Sequence, residues 1–199
     1  MDNELTVILT ASYIPSHPKI LLIREVIESL KLIEYKNSTV FDKCKIILAH
    51  DHNNNKKYKK YIKNLKIYLN SLNNENLIFK LRNNHGHLTG NILNVINDVK
   101  TEYLLVIQHD LPFIRGFNIE KIISDMRENL FMKHIKFNKR VNKRKKMDAK
   151  NNLFGKQIIG KNYIYTRTPG WSDQNHICKK TYYTEIVLKE CKDGQFMET

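Results

Sequence analysis

Apolar residues along this chain fall into two spacings. Short unbroken runs, LTVILT at 5–10, KIILA at 45–49, LIFKL at 77–81 and YLLVI at 103–107, have the length and β-branched content of strands. Between them, apolar positions recur at helical spacing. Ile20, Ile23, Val26, Ile27 and Leu30 mark a helix over 20–32, and residues 58–72 form a second with a very basic outer side. Ile92, Leu93, Val95, Ile96 and Val99 mark a short helix over 91–99. Residues 11–18, ASYIPSHP, read as a loop, because two prolines and two serines deny helix continuation. The first 110 residues therefore read βαβαβαβ, which predicts an α/β fold: a Rossmann-type, mostly parallel sheet flanked by helices on both faces.

The remainder is less regular. Residues 119–129 read as a helix capped by Asn118, and 133–138 as another strand. The basic stretch 139–152 reads as a loop, and 158–166 contain β-prone residues. Residues 170–176, GWSDQNH, form a polar cluster, and 182–188 form a helix or strand under the sheet. With no internal repeat, the expectation is a single domain over 1–199.

Composition changes this picture little. Hydrophobic content of 41% suits a soluble globular protein. No apolar run is long enough to span a bilayer. The N-terminus is acidic before its first apolar stretch, the reverse of a secretory signal, so the expected location is cytoplasmic. Cys44, Cys178 and Cys191 are widely spaced and form neither a zinc pattern nor a disulfide framework.

Charge adds a competing reading. The net charge is +14, and between Lys133 and Lys150 nine Lys and Arg face one acid, Asp148. Such an excess favours polyanions and raises an alternative: a basic, non-enzymatic nucleic-acid-binding α/β domain. The abundance of Lys, Asn and Ile along the whole chain points to AT-rich coding instead. The basic segments also lack interleaved stacking aromatics apart from Tyr58, Tyr61 and Tyr68, which argues against nucleic acid.

Polar residues stop each strand run where open α/β sheets hold their ligands. Gln108, His109 and Asp110 follow 103–107, and Pro112 forbids further ladder pairing. Alternation places Gln108 and Asp110 on one side and His109 on the other. His50, Asp51 and His52 end the second run in the same way.

Four segments, in this order, resemble the GT-A glycosyltransferases of the broad nucleotide-sugar family called family 2. TVILTASYIPSHP is similar to the family's nucleotide-contacting opening, which implies contacts from Thr10, Ser12 and Tyr13. Asp51 resembles the carboxylate that reads the base. Asn84, Gly86, Gly90 and Asn91 in NNHGHLTGN resemble the loop-to-helix pattern that lies along the nucleotide. Gln108, His109 and Asp110 occupy the place of the D-x-D motif, with Gln108 replacing the first carboxylate.

The resemblance implies transfer of a sugar from a nucleoside-diphosphate donor to an acceptor hydroxyl, on a glycan, glycoprotein or lipid-linked acceptor. It also implies inversion, with help from a divalent metal, Mn²⁺ or Mg²⁺. Asp110 is the implied metal ligand, with His176 as a further one. Residues 1–110 are the implied nucleotide-binding half and 111–199 the acceptor-side half. An inverting reaction needs a carboxylate to take the acceptor proton. Asp173 has the better local chemistry beside Trp171, whereas Glu198 in GQFMET has the better position in the family pattern; both stand as candidates. A nucleotidyl-transfer enzyme shares the α/β frame but carries a Gly-rich, cationic first loop, which ASYIPSHP is not.

Overall fold

The computed structural model describes residues 4–138, 157–167 and 174–191. A six-stranded sheet forms its centre. In chain order the elements are β1 (Leu5–Ala11), α1 (Leu21–Ser29), β2 (Ile33–Tyr35), β3 (Ser38–Thr39), α2 (Val40–Lys43), β4 (Lys45–His50) and α3 (Tyr58–Ser71). They continue with β5 (Leu77–Leu81), α4 (His87–Val95), β6 (Tyr103–Gln108), β7 (Phe117–Asn118), α5 (Ile119–Glu128) and β8 (His134–Lys136). β9 (Gln157–Ile159), β10 (Ile164–Thr166), β11 (His176–Lys179) and a helical segment over 180–190 complete the described chain.

The strand order is β5-β4-β1-β6-β11-β8. β5, β4, β1 and β6 run parallel, and β11 and β8 add antiparallel pairs. Every residue of β1 is buried, as its apolar run demands of a central strand covered on both faces. Its side chains alternate between two cores. Val7 and Leu9 pack with Ile23, Ile27, Leu65 and Ile123 of α1, α3 and α5, and Ile8 packs with Ile92, Val95 and Tyr183 of α4 and the 180–190 segment. Burial of each such side chain stabilises the fold by about 1.5–3 kcal/mol.

Three elements set the site. The chain steps from β1 to β4 to β5, then crosses to the other side of β1 to form β6. The connection order therefore reverses between β1 and β6, and the carboxyl ends of these strands flank a crevice. α4 begins beside that crevice. Asn118 caps α5 as its position predicts, its side chain accepting from Lys121 N at 3.2 Å.

Several elements differ from expectation. The helix expected over 20–32 ends at Ser29, a 3-10 turn follows, and Ile33 starts a small sheet ordered β3-β2-β7. Lys36 and Asn37, with φ of 50° and 56°, form the two-residue left-handed turn that joins β2 to β3. α4 begins at His87, four residues before the expected start. His176 opens strand β11 instead of lying in a polar loop. The β-prone stretch 158–166 is a hairpin, β9–β10.

That hairpin is pinned to α5 by one buried carboxylate. Asp125 accepts from Tyr165 Oη at 2.7 Å, Asn162 Nδ2 at 2.9 Å, Asn162 N at 3.0 Å and Tyr163 N at 3.1 Å. Burial alone would raise its pKa, but these donors outweigh burial and hold it below the usual range. Gly160 lies against it: a Cβ there would come within 2.7 Å of the Asp125 carboxyl.

Candidate functional site

Polar side chains gather at the carboxyl ends of β1, β4 and β6. Their placement follows from strand register. Ala11 pairs with His50, and Thr10 pairs with Gln108, so the ends of the three strands lie level. His109 extends the ladder by one bond, His109 N to Thr10 O at 3.0 Å.

Asp51 is the most constrained of these groups. It is 1% exposed, and its Oδ1 accepts from Gly86 N at 3.0 Å. Arg82 Nε lies 3.9 Å from Oδ1, and His85 Nδ1 lies 3.2 Å from Oδ2. Burial pushes the Asp51 pKa up, against the opposing pull of the Gly86 N–H, His85 and Arg82. Arg82 in turn donates to Gly90 O through Nη1 and to Asn84 Oδ1 through Nη2 at 2.9 Å. The loop 82–86 and the first turn of α4 are thus tied to the end of β4 through one acid and one guanidinium. Asn84, Gly86 and Gly90 all belong to this network, and His87 enters the helix with a left-handed φ of 53°.

Asn91 faces the end of β1. Its Nδ2 donates to Ala11 O at 3.3 Å, while its Oδ1 is buried with no partner. Thr10 is buried and its hydroxyl donates to Ile107 O at 3.2 Å. Ser12 is half-buried in the loop after β1.

On the other face of the sheet sits an aromatic cluster. Tyr13 meets Tyr61 edge-on at 5.1 Å, and His50 lies 5.5 Å from Tyr61. His50 Nδ1 lies 2.7 Å from Asp51 O, which also accepts from Tyr58 Oη at 2.7 Å. Burial lowers the His50 pKa to about 4, and burial lowers that of His109 as well. Tyr13 Oη, His50 Nε2 and His109 Nε2 are buried atoms without a hydrogen-bond partner. Together with Asn91 Oδ1 they surround the end of β1, a concentration of unsatisfied groups that needs water or a ligand to satisfy it.

Asp110 follows on an exposed turn closed by Leu111 N to Gln108 O at 3.2 Å. Asn175 holds that turn from both sides. Its Oδ1 accepts from Gln108 N at 3.0 Å, and its Nδ2 donates to Leu111 O at 2.6 Å. Asn175 belongs to the polar cluster at 170–176 but is not one of the site residues that the sequence predicts. The signal was its place beside His176, in a stretch rich in amide and carboxylate groups.

His176 lies inside the sheet, paired with Val106 and Lys136. Its ring stacks on Tyr183 at 5.7 Å with an interplanar angle of 7°. No described contact joins it to Asp110, and among the described residues no group of three or more His, Cys, Asp or Glu could hold a metal. Among the described residues, the donor set at the β6 end is therefore one carboxylate, Asp110, beside Gln108. That set fits a hard divalent cation only where diphosphate oxygens and water complete the shell. Asp173, Trp171 and Glu198 lie outside the described residues.

The fold and strand order define a class: an α/β, GT-A-like arrangement. Solved structures similar to it include S. aureus TarS 1-349, at 14% identity and a TM-score of 0.52, covering 90% of this chain and 48% of that one. A longer S. aureus TarS matches at 12% identity and a TM-score of 0.53, covering 92% of this chain and 29% of that one. A third, S. aureus TarS 1-349 in complex with UDP, matches at 12% identity and a TM-score of 0.51, covering 90% and 48%. At these identities the likeness is one of fold, and the chain spans less than half the length of each neighbour. No family model matches the sequence, and no curated protein matches it. Among the described residues no helix is long and apolar enough to cross a membrane.

Proposed function

We propose that this chain is the nucleotide-sugar-binding domain of a glycosyltransferase and that its donor lies across the carboxyl ends of β1, β4 and β6. The observation that carries the reading is the set of unpartnered buried atoms at the carboxyl ends of β1, β4 and β6: Tyr13 Oη, His50 Nε2, Asn91 Oδ1 and His109 Nε2. They sit at the topological switch point of a fold shared with a UDP-bound structure.

In this reading the residues divide the work by position. Thr10, Ser12 and Tyr13 line the donor from the β1 side. Asp51 and Arg82 hold the loop bearing Asn84 and Gly86, so that Gly90 and Asn91 face the donor. Asp110, with Gln108 and His109 beside it, would hold Mn²⁺ or Mg²⁺, which supplies charge to offset the departing diphosphate. Asn175 fixes the turn that presents Asp110. Inversion requires a carboxylate to accept the acceptor proton, and Asp173 and Glu198 are the candidates.

The test is a thermal-shift screen with uridine, guanosine and thymidine diphosphates and their sugars, with and without Mn²⁺, followed by a hydrolysis assay of each hit. A stabilising nucleotide whose effect grows with Mn²⁺, and an Asp110→Ala variant that loses that increment, support the reading. An increment that survives Asp110→Ala removes Asp110 from the metal site.

A further inference from the structure

The antiparallel side of the molecule carries a second surface that donor binding does not use. A cleft of about 670 Å³ opens between β8 and the β9–β10 hairpin, lined in part by Phe131, Lys133, Lys136, Ile164, Arg167 and Tyr182. Among the described residues, no Asp or Glu lines it. Lys133, Lys136 and Arg167 share one mouth and make no ion pair among the described residues.

The rim of this cleft is apolar and open to solvent. Phe131 is 95% exposed and its neighbour Leu130 is 71% exposed. On the hairpin, Ile164 pairs with Ile159, which places both on one face, and they are 64% and 79% exposed. Their alternating neighbours Ile158 and Tyr165 pack inward on the core instead. The hairpin is not loose, since Asp125 and its four donors fix it to α5. Two separate elements, the turn after α5 and the hairpin, thus present bulky apolar tips around one basic cleft. The exposed aliphatic tips Leu130, Ile159 and Ile164 have no hydrogen-bonding or stacking use for a soluble glycan or nucleic acid, and they decide in favour of an apolar boundary. Apolar tips that enter the acyl boundary while cations meet anionic headgroups are the pattern of an interfacial membrane contact.

We propose that this face docks the protein on an anionic membrane surface, with Phe131, Leu130, Ile159 and Ile164 entering the headgroup boundary and Lys133, Lys136 and Arg167 meeting lipid phosphates.

Vesicle co-sedimentation of the full chain tests it, with phosphatidylcholine vesicles and with vesicles containing about 30% phosphatidylglycerol. The expected result is binding to the anionic vesicles only, weakened by salt. A Phe131→Ser/Ile164→Ser variant should lose about tenfold in vesicle affinity, and Lys133→Gln/Arg167→Gln a similar factor. Circular dichroism and the melting temperature should not move for either variant, because the altered side chains are exposed. Equal binding to both vesicle types, or no binding, overturns the proposal. So does anionic-vesicle binding that the apolar variant leaves intact, since charge elsewhere would then carry it. Tight binding to a soluble polyanion that Phe131→Ser/Ile164→Ser leaves intact but Lys133→Gln/Arg167→Gln abolishes would overturn it too, and would assign the face to that ligand class. None of these outcomes depends on whether a nucleotide sugar binds at the other end of the sheet.

Discussion

The parallel part of the central sheet and the region around β8 and the β9–β10 hairpin treat their cations in opposite ways. At the carboxyl ends of β4 and β1, charge is buried and paired from within: Asp51 is shared by Gly86, Arg82 and His85, and Arg82 also holds Asn84 and Gly90. At β8 and the β9–β10 hairpin, Lys133, Lys136 and Arg167 line an open cleft with no acid among its described residues, beside exposed Phe131 and Ile164. The difference shows that the net charge of +14 is not one property. Part of the cationic set, Arg82, is a strut of the fold, and part is surface available to a partner.

Substitutions can break this contrast. Asp51→Ala is expected to have the largest effect, a loss of about 3–5 kcal/mol, because it leaves Arg82 buried without its acid and frees the N-terminus of α4. Urea unfolding measures it. A cost under 1 kcal/mol would mean that Arg82 finds another partner or water, and that the network is not a strut.

Asp125→Ala should follow closely, at about 3 kcal/mol, since four hydrogen bonds to one carboxylate are lost. Gly160→Ala probes the same contact from the other side. A Cβ within 2.7 Å of a carboxyl that four donors hold in place cannot be accommodated by moving it, and about 1–3 kcal/mol of destabilisation is expected. In both variants the hairpin amides should exchange faster, while those of β1 and β4 keep their order of protection.

The acid limb of stability sharpens the comparison next. His50 has its pKa lowered from 6.5 to about 4, chiefly by burial, and His134 from 6.5 to about 3 for the same reason. Both are neutral when folded and would take up a proton more readily when unfolded. Stability is therefore full above about pH 6.5 and falls as pH drops towards 4, by about 1.4 kcal/mol per unit for each group. His50→Phe, which suits the Tyr58, Tyr61 and Phe79 surroundings, should make that slope shallower. An unchanged slope between pH 6.5 and 4 would remove His50 from the account.

Asn175→Ala should cost about 2 kcal/mol or less in stability, through the orphaned Gln108 N–H and Leu111 C=O, yet weaken nucleotide binding more than its distance from the ligand suggests. His87→Gly is expected to be the smallest change, within about 1 kcal/mol, because glycine tolerates φ of 53° without strain while raising the entropy of the unfolded chain.

Legibility in the sequence follows the same division. β1, β4 and β6 were readable because strands buried on both faces must be continuous apolar runs, and β5, half-buried at the sheet edge, from its short β-prone run LIFKL. β11 was not, because it is four residues long and opens on a histidine beside amides. Its place in the sheet comes from pairing with β6 and β8, a long-range fact with no local signature. The early start of α4 was hidden by Gly86 and Gly90, which argue against helix locally, whereas Arg82 and Asp51 tie both glycines down. At the site, the level ends of the strands were legible from where each apolar run stopped. The inward commitment of Asp51 and the grip of Asn175 were not, since each depends on a partner distant in sequence: Gly86 for the first, Gln108 and Leu111 for the second.

The central claim concerns where a nucleoside diphosphate rests. Hydrogen–deuterium exchange of the full chain with and without UDP and Mn²⁺ tests it most directly. The account predicts new protection at residues 11–13, 84–91 and 108–111, and none at 131–136 or 157–167. Protection confined to the β8 and hairpin cleft, with the ends of β1 and β6 unchanged, would contradict it.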